Sequence, residues 1–237
     1  MPKLRDGTKV KDGRLARMKE FDERSREFPI SELMKGKKMR SYSWECNRHF
    51  NQGEQGACVG FAFTHELIAK PAPVTGLSGR FAVEKVYWAA QRKDPWKGGA
   101  YPEAKPKYDG TSILTAVKVV RAMGYFEQFR WAFGLEDLVM AVGHIGPAVL
   151  GLPWYVSMAQ PHRCGFLHLS LVDEEYEGDH AVLCKAVNVR ERSFVIHNSW
   201  GSSWGVKGDA RISWDDMERL LHAGGEACVP LYRHKSR

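Results

Sequence analysis

Large apolar side chains are sparse over residues 1–43, where Leu4, Leu15, Phe21, Phe28, Ile30 and Leu33 stand among polar neighbours. This spacing predicts an arm with one short helix around Gly13 to Arg26. Residues 44–57 hold Gly and Asn without periodicity and read as loop. From Ala57 the pattern changes. Phe61, Ala62, His65, Leu67, Ile68 and Ala69 recur at helical spacing until Pro71 stops the run. Further helices are expected over Phe81–Arg92, Thr111–Met123 with Gly124 closing it, and Leu135–Gly143. The second half alternates instead. Ala148–Leu152, Ala181–Val189, Ser193–His197, Gly208–Ser213 and Val229–Tyr232 read as strands, with a short helix over Trp214–Leu221. Helices first and strands later predict an α+β protein with two segregated lobes.

Composition narrows this picture. The 237 residues suffice for one sizeable core or two lobes sharing an interface. No apolar run reaches the roughly 20 residues of a membrane helix, and the charged N-terminus lacks the apolar stretch of a signal peptide. A cytoplasmic protein with no membrane partner is therefore expected. Five dispersed cysteines (Cys46, Cys58, Cys164, Cys184, Cys228) form no CxxC pair, so neither structural zinc nor disulfides are expected. Residues 1–48 carry 14 Lys+Arg against 8 Asp+Glu, a net of +6 out of +7 for the whole chain. Residues 1–40 thus form a basic arm. With no nucleic-acid motif beside it, a solvated, partly mobile extension is expected rather than a nucleic-acid contact.

Three segments carry candidate chemistry. Cys58 falls at the start of the first strong helix, where unpaired N–H groups and the helix dipole favour a thiolate. His180 is suited to take the thiol proton. Asn198 is suited to orient the imidazole by accepting a ring N–H. Gln52, six residues before the cysteine, is placed to form an oxyanion hole with the Cys58 N–H. Trp200 is placed to shield the Asn–His bond from water. Asp179 has a weaker reading as a tuner of the site's charge, balanced by that of a solvated turn acid, and Asp109 has the same balance. His65, His144 and His197 read as structural or exposed. Strand alternation turns His197 away from Asn198.

Asn51-Gln52-Gly53 with Gly56-Ala57-Cys58, Gly178-Asp179-His180, and Val195 to Gly208 with Asn198-Ser199-Trp200-Gly201 together resemble the papain-like cysteine peptidases over roughly residues 41–233. The resemblance implies a papain-like two-lobed fold. It places a helical left lobe at about 41–140, an antiparallel, barrel-like β right lobe at about 141–237, and the active-site cleft between them. It implies hydrolysis of peptide bonds in a peptide or protein substrate through a thioester acyl-enzyme, with no metal or cofactor. It also implies that Gly110 offers backbone hydrogen bonds to an extended peptide, and that Ile113 and Gly151 line a specificity pocket for an apolar side chain. Thr111 stands where the family often has a second glycine and is expected to narrow the cleft. Gln55 replaces the cysteine of a family disulfide, and Val59 replaces an aromatic residue. The arm does not resemble the long helical propeptide of lysosomal members, and compact bacterial or phage relatives are the nearer likeness. Two alternatives share these residues: a non-catalytic peptide-binding protein on the same fold, and a thiol transamidase or deamidase. Oligomeric state is left open.

Overall fold

The computed structural model describes residues 3–170 and 175–234. Five α-helices are described: α1 (Cys58–Ile68), α2 (Trp88–Gln91), α3 (Ile113–Ala122), α4 (Leu135–His144) and α5 (Trp214–His222). A wider helical stretch, Phe81–Tyr87, runs directly into α2. Ten strands accompany them: β1 (Arg17–Met18), β2 (Tyr42–Ser43), β3 (Thr111–Ser112), β4 (Phe126–Ala132), β5 (Ala148–Tyr155), β6 (Phe166–Leu167), β7 (Tyr176–Asn188), β8 (Ser193–His197), β9 (Asp209–Ser213) and β10 (Glu226–Arg233). Eight strands make one sheet in the order β4-β10-β5-β7-β8-β9-β6, with β2 on β7. Its long central pairings, β10–β5, β5–β7 and β7–β8, are antiparallel. The helix-then-strand reading is thus realised as an α+β protein with a helical lobe and a sheet lobe.

α1 is buried along its whole length except Ile68. A helix apolar on every side belongs inside a protein, and α1 is the plane where the two lobes meet. Val59, Ala62, Phe63 and Leu67 share a cluster with Val117 and Val120 of α3 and with Val149, Ala181, Leu183 and Cys228 of the sheet. The second core lies on the sheet's other side, where α4, α5, Trp154, Trp200, Trp204 and Trp214 pack together. By packing, α4 therefore belongs with the sheet lobe. Burial pushes the Glu66 carboxyl of α1 up to about 7, against the pull of Arg233 at 3.2 Å.

Two expectations need correction. No helix forms over residues 13–26: β1 is extended and only Glu23–Glu27 makes a short 3₁₀ turn. The arm is not a solvated extension either, because Leu4, Val10, Leu15, Ala16, Met18, Ile30 and Met34 are all buried. β4, over residues to which the sequence pattern assigns no element, pairs with β10 from Ala132↔Ala227 to Phe126↔Arg233. Among the described residues, no helix is long and apolar enough to cross a membrane.

Candidate active site

Cys58 is the first residue of α1, as the helix pattern predicts. His180 lies inside β7 rather than ahead of a strand, opposite Leu152 of β5. Its Nε2 lies 2.8 Å from Asn198 Oδ1. The Ser199 backbone N–H donates to the same oxygen at 2.7 Å. Two donors on Oδ1 fix the amide's orientation, so Nε2 must carry the ring proton. Among the described residues His180 Nδ1 has no hydrogen-bond donor and is buried in the site, with the Arg14 backbone of the arm lying against the ring. Next along β7, the Ala181 N–H points at the Cys58 thiol. His197 does turn away: Nδ1 lies 2.6 Å from Asp209 and Nε2 3.1 Å from the Arg48 carbonyl.

Trp200 packs on the His180 ring with centroids 5.0 Å apart, and Trp154 meets the same ring edge-on at 4.8 Å. Both indoles are buried. Trp154 had no sequence signal beyond its place in an apolar strand. Dry walls strengthen the imidazole–amide bond and penalise the charged ring. Burial accordingly pushes the His180 pKa down to about 4, with the Asn198 hydrogen bond opposing.

Gln52 is held from both ends. Its Oε1 accepts from Ser199 Oγ at 2.6 Å, and its Nε2 donates to the Gln55 carbonyl at 2.6 Å. Its backbone N–H donates to the Ser199 carbonyl at 2.8 Å. One Nε2 proton remains, and it reaches the Arg14 carbonyl of the arm at 3.2 Å.

The arm therefore lies in the cleft. Ala16 bridges Asp179, while Arg17 and Met18 of β1 pair in parallel with Thr111 and Ser112 of β3. The Ala16 N–H points at Cys58 Sγ. Arg14 stacks its guanidinium on the Trp200 ring at 4.0 Å and pairs with Asp12 at 2.6 Å. Further along, Glu20 accepts from Ser112 Oγ and, at 2.8 Å, from Thr115 Oγ1. Cys58 is fully buried beneath this segment. Burial pushes its thiol up to about 11, and the N–H groups of Ala16, Ala181 and Val59 only partly offset that.

The remaining predicted residues are placed as follows. Gly110 (φ +104°) sits too close to Met18 for any side chain: a Cβ there would meet its sulfur at 2.6 Å. Its backbone does not face the cleft, however. Its N–H donates to Tyr87 Oη and its carbonyl accepts from Gln91 Nε2, both at 3.0 Å. Thr111 supplies the cleft-facing donor, from its N–H to the Ala16 carbonyl at 3.4 Å. Its hydroxyl turns away to Asp94 at 2.8 Å. Asp109 accepts from Tyr87 Oη at 3.0 Å. Asp179 binds Tyr176 Oη at 3.0 Å and Arg17 at 3.3 Å. Ile113 and Gly151 do line one pocket, but the side chain inside it is Arg17, not an apolar one. The guanidinium finds Glu226 Oε1 at 2.6 and 2.9 Å. Sequence reasoning missed Arg14, Ala16, Arg17, Ser199 and Glu226.

No family model matches the chain. Its fold is nonetheless that of papain-like cysteine proteases. Xylellain, a cysteine protease from Xylella fastidiosa, superimposes with a TM-score of 0.70 at 16% identity over 96% of this chain and 99% of its own. Digestive procathepsin L 3 of Tenebrio molitor larval midgut gives 0.59 at 15% identity, covering 94% of this chain and 75% of its own. A structure of the mite allergens Blo t 1 and Der p 1 gives 0.56 at 16%, covering 92% and 76%. In sequence, the chain is 26% identical over 117 residues to an uncharacterized peptidase C1-like protein of Acanthamoeba polyphaga mimivirus. That match takes in 48% of this chain and only 37% of the viral protein's length.

Proposed function

We propose that this chain is a cysteine-type peptidase kept latent by its own arm. The observation that carries this reading is the His180–Asn198 hydrogen bond, with Asn198 fixed by Ser199 and His180 Nδ1 left unpartnered. Such an orientation has a purpose only if Nδ1 must receive a proton from a chosen direction. The buried thiol at the start of α1 is the group suited to give it.

In the reaction, the Cys58 proton moves to His180 Nδ1 as the sulfur attacks the carbonyl carbon of a peptide bond. The developing oxyanion takes the Gln52 Nε2–H and the Cys58 N–H. When the tetrahedral species collapses, the C–N bond breaks and the imidazolium protonates the departing amine, leaving a thioester on Cys58. Water then attacks the thioester while His180 takes its proton. The acid leaves, and the thiol is restored by that same proton. The substrate is a peptide or protein, and the chemistry needs Cys58 as a free thiol. The five unpaired cysteines agree with that.

The docked arm opposes each step. Its Arg14 carbonyl takes the Gln52 donor, and its Ala16 N–H, not an electrophilic carbon, meets the sulfur. Burial beneath the arm, which the Ala16 N–H only partly offsets, holds the thiol in its protonated form. Arg17→Glu in the full chain turns the Arg17 pairings into repulsion against Glu226 and Asp179 and should eject the arm. Fluorogenic peptides should then be hydrolysed, and the added substitution Cys58→Ala or His180→Ala should abolish it. Hydrolysis that survives Cys58→Ala, or silence with the arm displaced, refutes the reading.

A further inference from the structure

Arg17 is a buried arginine with its own partners, yet it belongs to the arm, while every group that receives it belongs to the catalytic body. Nε and Nη2 both reach Glu226 Oε1, at 2.9 and 2.6 Å. Nη1 reaches Asp179 at 3.3 Å, and the Gly224 carbonyl lies 3.4 and 3.5 Å from Nη2 and Nη1. Glu226 opens β10 and pairs in register with Gly151 of β5. A Cβ at position 151 would lie 2.5 Å from Arg17 Nε and 2.9 Å from Ile113 Cδ1. Glycine there is what leaves a slot wide enough for a planar guanidinium. The slot is also next to the chemistry. Arg17 follows Ala16, whose N–H points at Cys58, and Asp179 precedes His180.

The charge balance shows what the slot requires. Glu226 and Asp179 bring two negative charges, with side chains only 12% and 11% exposed. Arg17 and Lys19, which lies 3.8 Å from Asp179, bring two positive ones, and both leave with the arm. Two nearly buried carboxylates facing one another without a cation are costly, and a ligand cation removes that cost. A planar fork satisfied by a carboxylate and a carbonyl suits arginine better than lysine.

We infer that the slot holding Arg17 is a specificity pocket for a basic side chain, so that the enzyme prefers peptides presenting arginine, and after it lysine, to Glu226 and Asp179. This rests on the peptidase reading above and names its substrate class. The arm then marks the pocket with the residue the substrate will bring.

The test has two readouts. First, N-acetyl-arginine amide and N-acetyl-norleucine amide are titrated against the full chain carrying Arg17→Ala, following thermal unfolding. The arginine compound should raise the midpoint and the norleucine compound should not. The effect should vanish in Arg17→Ala with Glu226→Gln, and be absent in the wild type, whose slot is filled. Equal shifts from both compounds, or an arginine effect untouched by Glu226→Gln, overturn the proposal. Second, a peptide library is hydrolysed by the arm-displaced Arg17→Glu chain and by Arg17→Glu with Glu226→Gln. Arginine should be favoured over norleucine about tenfold to a hundredfold, the worth of one or two charge-assisted hydrogen bonds, and Glu226→Gln should erase that preference. Apolar preference unchanged by Glu226→Gln overturns the pocket and leaves the peptidase standing. Arginine-selective stabilisation without hydrolysis supports the pocket and refutes the peptidase. If Arg17→Ala does not fold, the hydrolysis profile alone decides.

Discussion

The docked arm makes a quantitative prediction about a single sulfur atom. Burial beneath residues 14–17 pushes the Cys58 thiol up to about 11, whereas an unperturbed thiol titrates near 8.5. At pH 7.5 the corresponding thiolate fractions are about 0.03% and about 10%, a difference of roughly 300-fold in reactive species. Cys164 provides the internal reference. It is exposed, and His162 Nδ1 at 3.2 Å draws its thiol below the ordinary value. The assay is alkylation of the intact chain by iodoacetamide across pH 6 to 10, with each cysteine-bearing peptide quantified by mass spectrometry. Cys58 in the wild type should lag Cys164 by at least the ionisation factor, more where the arm also blocks access. Its rate should rise about tenfold per pH unit through the whole range, since its protonated form persists to about 11. Arg17→Glu should shift the Cys58 profile to lower pH, as the freed thiol gains the α1 N-terminus and a solvated imidazole. If Cys58 of the wild-type chain reacts as fast as Cys164 at pH 7.5, the docked-arm account of the site is wrong.

Four further outcomes follow from named contacts. The His180 ring, held neutral to about pH 4 against an ordinary value near 6.5, contributes to the stability of the folded chain fully above pH 6.5. That contribution is lost as pH falls towards 4, and the difference reaches about 3 kcal/mol. Urea titration should therefore show the unfolding free energy falling across that window, and a flat profile contradicts it. Gln52→Ala in an arm-displaced background should lower kcat about 10²- to 10³-fold with little change in KM. Asn198→Ala should lower kcat about 10²-fold or more by freeing the imidazole's orientation, with Ser199→Ala showing a weaker version in the same steady-state assay. Trp154→Ala should cost about 3–5 kcal/mol of stability in urea titration, because a fully buried indole is removed.

The placement of the candidate site was legible in the sequence because it lies in short, local patterns. Cys58 at a helix start and Asn198 two residues before Trp200 each have a local setting that the structure reproduces. The arm was not legible. Leu15, Met18 and Phe21 recur every three residues, which imitates a helix, but Leu15 and Met18 are buried in separate clusters. Their partners lie far along the chain: Arg17 meets Thr111, Asp179 and Glu226. Such distant demands override local propensity. β4 escaped for a related reason. Phe126, Trp131 and Ala132 are buried while Glu127 and Gln128 are exposed, and that mixed pattern resolves into a strand only beside β10. The slot holds Arg17 rather than an apolar side chain because Ile113 and Gly151 describe its walls, whereas Glu226 accepts the guanidinium.

The link between Gln52 and Ser199 has a mechanical meaning. In the reading proposed above, Gln52 carries the oxyanion donor in the helical lobe, while Ser199 orients Asn198, hence His180, in the sheet lobe. They are joined by two bonds, at 2.6 and 2.8 Å. Donor and base therefore share a single rigid frame that bridges the two halves. Any opening of the cleft that keeps these two bonds moves Gln52 and His180 together, so the spacing between them is preserved.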